Sequence, residues 1–195
     1  MSRGKSFSPA ATLQQVADVF VERGYDGTSL AQLEAASGLG KQSLYNAFGD
    51  KKAMYLAAVE CAAARWAGMR ALMQSAPDGR QALQRFFDAL AQDCASGNAQ
   101  RYSCIVSAGL LEDIDDQDIQ QRLLSKWQDT HALLKSAVAR GQADGSVASS
   151  SRAQDLADHL MTAMSGLRVM ARTQPGAARL KRVIAQALSV LETSA

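Results

Sequence analysis

Apolar residues recur every three or four positions through most of the chain, and no stretch alternates apolar and polar residues with a period of two. This spacing predicts amphipathic α-helices, because it places the apolar side chains on one helical face. Ala and Leu are abundant, whereas Pro occurs only 3 times in the 195 residues, which favours uninterrupted helices. The pattern therefore predicts an all-α protein of about nine helices.

Turn and capping residues divide this pattern into separate helices. Ser8 before Pro9 predicts the start of the first helix and Gly24 its end. Thr28 or Ser29 can cap the second helix. The sixth helix is predicted over about 101–111, the seventh ends near 141, and the eighth spans about 151–173. The breaks contain Gly, Pro, Asn or Asp and fall at 37–38, 49–50, 77–79, 96–98, 112–118, 144–146 and 175–176.

The second and third helices are joined by a tight turn at Ser37-Gly38-Leu39. In a helix-turn-helix, the later of two helices joined in this way enters the major groove of DNA. Leu44 and Phe48 give the third helix an inward apolar side, and its outer side carries groups that suit base edges and phosphates. These outward side chains are those of Lys41, Gln42, Ser43, Tyr45 and Asn46. The segment is therefore predicted to bind DNA.

Three motifs of this segment resemble the DNA-binding domain of the tetracycline-repressor (TetR) family of transcriptional regulators. They are GYDGTS at 24–29, SGL at 37–39 and LYNAFGDK at 44–51, in the order and spacing of that family. The resemblance covers about the first 60 residues, and it implies a helix-turn-helix domain at 1–50, with the start of helix four reaching to about 60. It also implies a helical ligand-binding and dimerisation domain at 51–195. The expected function is a homodimeric repressor that a small inducer releases from double-stranded operator DNA.

The resemblance also assigns roles to single residues. Thr28 and Tyr45 take the positions of phosphate contacts, and Lys51 takes that of a basic clamp at the start of helix four. Tyr45 lies off the apolar stripe of helix three, so DNA contact is the preferred interpretation over a place in the core. The full set of expected DNA contacts is Thr28, Ser29, Gly40, Lys41, Gln42, Ser43, Tyr45, Asn46 and Lys51.

Three positions depart from the pattern of that family. Ala47 stands where a His is frequent, which removes one possible phosphate donor. Glu34 replaces a usual small Ala, so the packing of helix two on helix three is expected to differ slightly. Gly40 replaces a frequent Ser or Thr, and a weaker N-cap is therefore expected for helix three.

The distribution of charge matters more than its total. The whole chain has a net charge of +2, and residues 1–60 hold equal numbers of basic and acidic side chains. Attraction to phosphates must therefore come from cations near the presumed DNA face, set against a lone Asp50, and from binding at two half-sites. The cations expected near that face are Arg3, Lys5, Lys41, Lys51 and Lys52.

Helices four to eight carry aromatic and soft side chains that could converge on a ligand. Such a pocket would be mainly apolar and would suit a flat aromatic or lipophilic inducer. His131 is either a satisfied core histidine or a ligand contact. Cys104 is either a buried inert thiol or a redox sensor, and the second interpretation gives the alternative function of a thiol-sensing regulator. The candidates are Trp66, Met69, Phe86, Phe87, Tyr102, Cys104, Trp127, His131 and Met164.

Apolar stripes on helices eight and nine predict the dimer interface. Two such helices from each subunit would form a four-helix bundle, although each chain could instead use the stripes to close its own core. The candidate residues are Leu156, Leu160, Ala163, Leu167, Ile184, Leu188 and Leu191.

Several other classes are disfavoured. The chain has no glycine-rich phosphate loop, no nucleophile elbow and only 2 His, so we expect neither an enzyme nor a cofactor or metal site. No apolar run approaches the ~20 residues of a transmembrane helix, and no signal-like stretch follows the N-terminus, so we expect a cytoplasmic protein. The 3 Cys give no disulfide framework. A helical binding protein that does not bind DNA stays open as an alternative.

Overall fold

The computed structural model describes residues 8–95 and 105–192, except for the side chains of 63–67 and 95. These residues form nine α-helices and one short 3₁₀-helix and contain no strand, which confirms the all-α class. The helices are α1 (Pro9–Arg23), α2 (Leu30–Ser37), α3 (Lys41–Phe48), α4 (Lys51–Gln74), α5 (Gly79–Ala95), α6 (Ile105–Gly109), α7 (Gln117–Asp144), α8 (Ala153–Ala171) and α9 (Ala177–Leu188), followed by the 3₁₀-helix Ser189–Leu191.

The bounds of the sixth and seventh helices differ from the predicted ones, and the eighth is two residues shorter at each end than the predicted 151–173. Of the predicted sixth helix, residues 101–104 lie outside the described part of the chain, and α6 ends at Gly109 rather than at 111. Helix α7 continues past Gly141 to Asp144. A Cβ atom on Gly141 would collide with the Val147 side chain, and the Gly141 carbonyl accepts a hydrogen bond from the Val147 N–H. Gly141 therefore permits close packing of the returning chain instead of ending the helix.

The described residues pack as two compact units. The first holds the residues up to Ala64 together with 105–124, and the second holds 65–95 together with 125–192. Helices α4 and α7 each contribute residues to both units. The predicted boundary between a DNA-binding and a ligand-binding domain at residue 50 is a functional division, and it stays a prediction.

The core of the first unit is an aromatic cluster. The ring of Tyr55 on α4 packs edge-on against Phe20, with ring centroids 5.0 Å apart, and it lies at the same distance from Tyr25. Gly109 approaches Tyr55 so closely that a Cβ atom there would collide with the phenol oxygen and with Leu123. Helices α1, α4, α6 and the start of α7 are thereby packed together through one buried ring.

The core of the second unit joins α5, α8 and α9 with parts of α4 and α7. Phe86 and Phe87 of α5 are fully buried and pack edge-on at 5.3 Å. Leu160 of α8 and Leu188 of α9 are also fully buried in this cluster. The buried residues of α8 lie on one face of that helix, and so do those of α9. This explains why apolar residues recur with helical periodicity in both segments.

Candidate nucleic-acid interface

Helix α2 and the turn after it form as the sequence predicts. The Ser29 hydroxyl accepts a 3.4 Å hydrogen bond from the Gln32 N–H, and the Gln32 side chain accepts one of 2.8 Å from the Ser29 N–H. This reciprocal capping box fixes the start of the helix. Gly38 ends the helix with φ 69° in the left-handed region, where glycine carries no Cβ penalty. The tight turn of a helix-turn-helix is therefore present.

Helix α3 is capped by a residue from α2. The expected position of the cap, Gly40, has no side chain to accept a hydrogen bond. Instead the Lys41 N–H donates a 2.5 Å hydrogen bond to the Glu34 carboxylate. A negative group at this end of a helix also interacts favourably with the helix dipole. The two departures from the TetR pattern at Glu34 and Gly40 therefore offset each other.

The outer side of α3 presents the predicted polar side chains. Lys41, Gln42, Ser43, Tyr45 and Asn46 are exposed, while Leu44 is buried and Phe48 is half-buried. Gln42 donates a 3.0 Å hydrogen bond to the Asn46 side chain, so these two amides are aligned along one face. The Lys41 ammonium lies 5.5 Å from the centre of the Tyr45 ring. The exposed groups can donate to phosphates and can both donate to and accept from base edges.

Thr28 does not fit its expected role as a phosphate contact. Its side chain is buried, at 2% exposure, and its hydroxyl donates a 2.6 Å hydrogen bond to the Gly24 carbonyl. A phosphate oxygen needs a donor, and this hydroxyl has one proton, which is already used. Thr28 therefore stabilises the link between α1 and α2. Ser29 is exposed next to it, although its hydroxyl caps α2.

The start of α4 holds two lysines in different environments. The Lys51 ammonium lies 4.6 Å from the centre of the Tyr25 ring, a cation–π contact that leaves the charge available. The Lys52 ammonium forms ion pairs with Asp118 at 2.7 Å and Asp116 at 2.9 Å. Hydrogen bonds to Asp118 and Asp116 raise the pKa of Lys52 above its usual range. The expectation that Lys52 adds free positive charge to the DNA face is therefore corrected, because two carboxylates neutralise it.

The acidic segment 112–118 contacts the end of α1 and the start of α4 in addition to capping α7. Asp116 accepts hydrogen bonds from the N–H groups of Asp118 and Ile119, as expected of acids at a helix start. The Lys52 hydrogen bond is the main cause that lowers the pKa of Asp116. Glu112 accepts a 2.6 Å hydrogen bond from the Tyr25 N–H just beyond α1. The acidic composition of this segment predicts that it caps α7. It does not predict the contacts with Lys52 and Tyr25, because those contacts join residues 66 and 87 positions apart in the chain.

The candidate ligand residues that the structure describes lie in or beside the core of the second unit. Phe86, Phe87 and Met164 are buried in that core, and Met69 and Trp127 pack against it. Tyr102 and Cys104, and the side chain of Trp66, lie outside the described residues.

His131 forms its contacts with α8. Its Nε2 atom lies 2.9 Å from the Asp158 carboxylate and 3.1 Å from the Gln154 amide. These contacts favour the interpretation of a satisfied structural histidine over a free ligand contact.

The apolar stripes expected at the dimer interface are turned inward. Among the seven candidates, Ala163 is partly exposed, and the others are buried in the chain's own core: Leu156, Leu160, Leu167, Ile184, Leu188 and Leu191. Their expected role is corrected, because side chains that already fill one chain's core cannot also face a partner. The faces open to a partner carry Gly166 and Val169 on α8 and Val183 on α9, and Val169 is 68% exposed.

Part of the chain is similar in sequence to known bacterial regulatory proteins. Residues 13–58 match the family model described as bacterial regulatory proteins, tetR family. The chain is 43% identical over 60 residues to the uncharacterized HTH-type transcriptional regulator YezE of Bacillus subtilis (strain 168), a match that spans 31% of each protein. It is 25% identical over 183 residues to the HTH-type transcriptional repressor ComR of Escherichia coli (strain K12), covering 93% of this chain and 87% of that one.

Solved structures extend the likeness to the whole chain. A cysteine variant of the TetR family transcriptional regulator CifR, complexed with 26 bp double-strand operator DNA, is 29% identical with a TM-score of 0.84. That likeness covers 96% of this chain and 98% of CifR. A TetR regulator from Chloroflexus aurantiacus J-10-FL has the same fold, with 21% identity, a TM-score of 0.80, and coverage of 95% of this chain and 94% of that one.

Within 8–95 and 105–192, no helix is both long and apolar enough to span a bilayer.

Proposed function

Because the chain is a DNA-binding transcriptional regulator of the TetR family, we propose that it is a homodimeric repressor whose operator affinity a small inducer lowers. The observation that carries the DNA half of this proposal is the exposed polar face of α3, held by buried Leu44 and by the caps of α2 and α3. The complex of CifR with operator DNA supports it, because that protein shares the fold over its whole length. A repressor of this kind acts on chromosomal DNA in the cytoplasm.

The proposal of a dimer is supported by the way a helix-turn-helix contacts DNA. One α3 helix contacts only a few base pairs, so two copies on successive major grooves are needed for useful specificity. We place the subunit interface on the outer faces of α8 and α9, at Gly166, Val169 and Val183. Gly166 has open space around it, so a partner helix can approach closely there. A two-fold interface of this kind implies a near-palindromic operator.

The inducer is proposed to be lipophilic or aromatic. The second unit offers Met69, Trp127 and the described aromatic residues of α5 around an apolar interior, which favours apolar ligands over sugars or nucleotides. An inducer can lower operator affinity only through its different affinities for two conformations of the protein. Helices α4 and α7 each contribute residues to both units, so each is a continuous helix through which a ligand can act on the DNA-binding face.

A thiol-sensing regulator is the second candidate. Cys104 lies outside the described residues. Cys94 is a poor sensor, because burial raises the pKa of its thiol more than the charge of Arg168 lowers it. Operator binding by the Cys104→Ser variant, measured before and after mild oxidation of the protein, separates the two candidates. Loss of oxidation sensitivity in that variant would favour the thiol mechanism.

The DNA-binding proposal is tested by selection from a random pool of DNA duplexes. We expect the parent protein to enrich a near-palindromic site. The Gln42→Ala/Asn46→Ala double variant removes two aligned amides from α3 without changing charge, and it should lose this enrichment. A matched Gln121→Ala/Gln128→Ala variant changes exposed amides on α7 and should behave as the parent. A parent protein that enriches no site would support a helical binding protein that does not bind DNA.

A further inference from the structure

Glu34 reaches across the turn between α2 and α3 to the first residue of the DNA-facing helix. It lies in the second half of α2, and its carboxylate accepts the Lys41 N–H at 2.5 Å. That amide is one of the four at a helix start that have no partner within the helix. Gly40, which occupies the N-cap position with φ −73° and ψ 160°, makes no side-chain cap. The hydrogen bond to Glu34 therefore ties the end of α3 that carries Lys41, Gln42 and Ser43 to the body of α2.

We propose that Glu34 is a positioning residue for operator recognition, an inference that rests on the proposed DNA-binding function. Its carboxylate fixes the position of α3 relative to α2. It thereby fixes the orientation of the side chains that are proposed to contact bases. An ordinary N-cap would stabilise α3 through a neighbouring residue and would not attach it to α2. A cap from 7 residues earlier does both. Because small displacements of a reading helix change base contacts more than phosphate contacts, Glu34 acts chiefly on specificity.

The negative charge of Glu34 gives a second, separable effect. The carboxylate lies at the end of α3 that carries the proposed DNA contacts, so it repels phosphates there. Removing the charge should raise affinity for operator and random-sequence DNA alike, whether or not the hydrogen bond remains. Glu34→Gln keeps an acceptor oxygen but removes the charge, whereas Glu34→Ala removes both. The ratio of operator affinity to random-DNA affinity therefore isolates the positioning role from the charge.

Substitutions of Gly40 allow a rescue experiment and its matched control. A Cβ atom on Gly40 would meet no heavy atom within 4 Å, and the backbone there is accessible to any residue. Gly40→Ser supplies a local N-cap to α3, whereas Gly40→Ala adds the same Cβ without an acceptor. The Ser restores the cap of α3 in the Glu34→Ala background, but it does not restore the hydrogen bond between α2 and α3.

The experiment measures urea denaturation and DNA binding by fluorescence anisotropy, with the selected operator and a random duplex of equal length. We expect Glu34→Ala to lower the operator-to-random ratio by about tenfold, and Glu34→Gln to change it by less than about twofold. Glu34→Ala/Gly40→Ser should regain most of the stability to urea but not the ratio, and Glu34→Ala/Gly40→Ala should regain neither.

Three results would overturn the inference. An unchanged ratio in Glu34→Ala shows that Glu34 does not position α3. Equal losses of the ratio in Glu34→Gln and Glu34→Ala assign the effect to charge. Full recovery of the ratio by Gly40→Ser shows that capping alone is sufficient. If the parent protein binds every selected duplex no more tightly than random DNA, the proposed function itself fails. The parent is therefore measured before any variant is compared with it.

Discussion

The Tyr25 main-chain N–H donates a 2.6 Å hydrogen bond to the carboxylate of Glu112, although 87 residues separate the two in the chain. The same carboxylate fills the space beside Gly24, where a Cβ atom would lie within 2.6 to 2.9 Å of its atoms. Gly24 also has φ 76°, in the left-handed region. The end of α1 is therefore shaped to receive one acidic side chain from the segment that follows α6.

This contact predicts that Glu112→Ala destabilises the protein. The Tyr25 N–H is half-buried, and loss of a charged acceptor leaves it without that partner, at a cost of about 1–2 kcal/mol. Urea denaturation measures the effect. Asp113→Ala is the matched control, because Asp113 is an exposed neighbouring acid. Equal stabilities of the two variants would show that the hydrogen bond contributes nothing measurable.

The ion pairs of Lys52 predict how its contribution depends on pH. The hydrogen bond from Lys52 lowers the pKa of Asp116, so this carboxylate stabilises the fold above the usual aspartate range and loses that effect as pH falls through its lowered pKa. The pKa of Lys52 is raised, so its own contribution is complete at neutral pH and is lost only in strong alkali. The stability difference between the parent and Lys52→Met should therefore be constant around neutral pH and shrink in acid. A difference that persists unchanged below the aspartate range would contradict this.

Lys41 and Lys51, both near the proposed DNA face, should differ in how their loss affects operator and random-sequence DNA. Lys41→Ala should weaken operator binding more than random-DNA binding if Lys41 contacts a base, by about 1–3 kcal/mol. Lys51→Ala should weaken both alike and reduce the salt dependence by about one counterion. Lys135→Ala removes the same charge from an exposed site on α7 and serves as the control. Equal losses for Lys41→Ala on both DNAs would exclude base reading.

Burial on α8 separates residues of the core from those of the proposed interface. Val169 is 68% exposed and Leu167 only 2%. Val169→Glu should therefore give a folded protein that sediments as a monomer, because it places a charge in the proposed interface. Leu167→Glu should unfold the protein, because it buries an unpaired charge. Ala139→Glu on the exposed side of α7 should sediment as the parent. A Val169→Glu dimer of unchanged stability would place the interface elsewhere.

Local patterns in the sequence predict the helices and the exposed side chains of α3, because periodicity, caps and turns involve neighbours in the chain. The capping box at Ser29, the left-handed Gly38 and the buried Leu44 are examples. Contacts between distant segments leave no such pattern. The neutralisation of Lys52 and the hydrogen bond between Tyr25 and Glu112 therefore could not be foreseen. The stripes of α8 and α9 show the related limit: periodicity identifies an apolar face but not whether the chain itself or a partner covers it.

The proposed inducer site predicts a reciprocal effect between ligand and operator. If a ligand lowers operator affinity by some factor, saturating operator must lower ligand affinity by the same factor, since both report one coupling free energy. A lipophilic aromatic compound chosen by thermal shift from a small library is titrated by calorimetry, with and without operator. Unchanged affinity in the presence of operator would show that the compound is not an inducer.

Trp127 is proposed to line the ligand site. It is partly buried against the core of the second unit, as is Leu133 on the same helix. Trp127→Ala should weaken binding of that compound by about tenfold or more, because a lost aromatic contact costs about 1–3 kcal/mol. Leu133→Ala makes a comparable truncation and controls for loss of stability, so it should retain the affinity of the parent. Equal affinities of Trp127→Ala and the parent would mean that Trp127 does not line the ligand site, and equal losses in both variants would assign the effect to a weakened core.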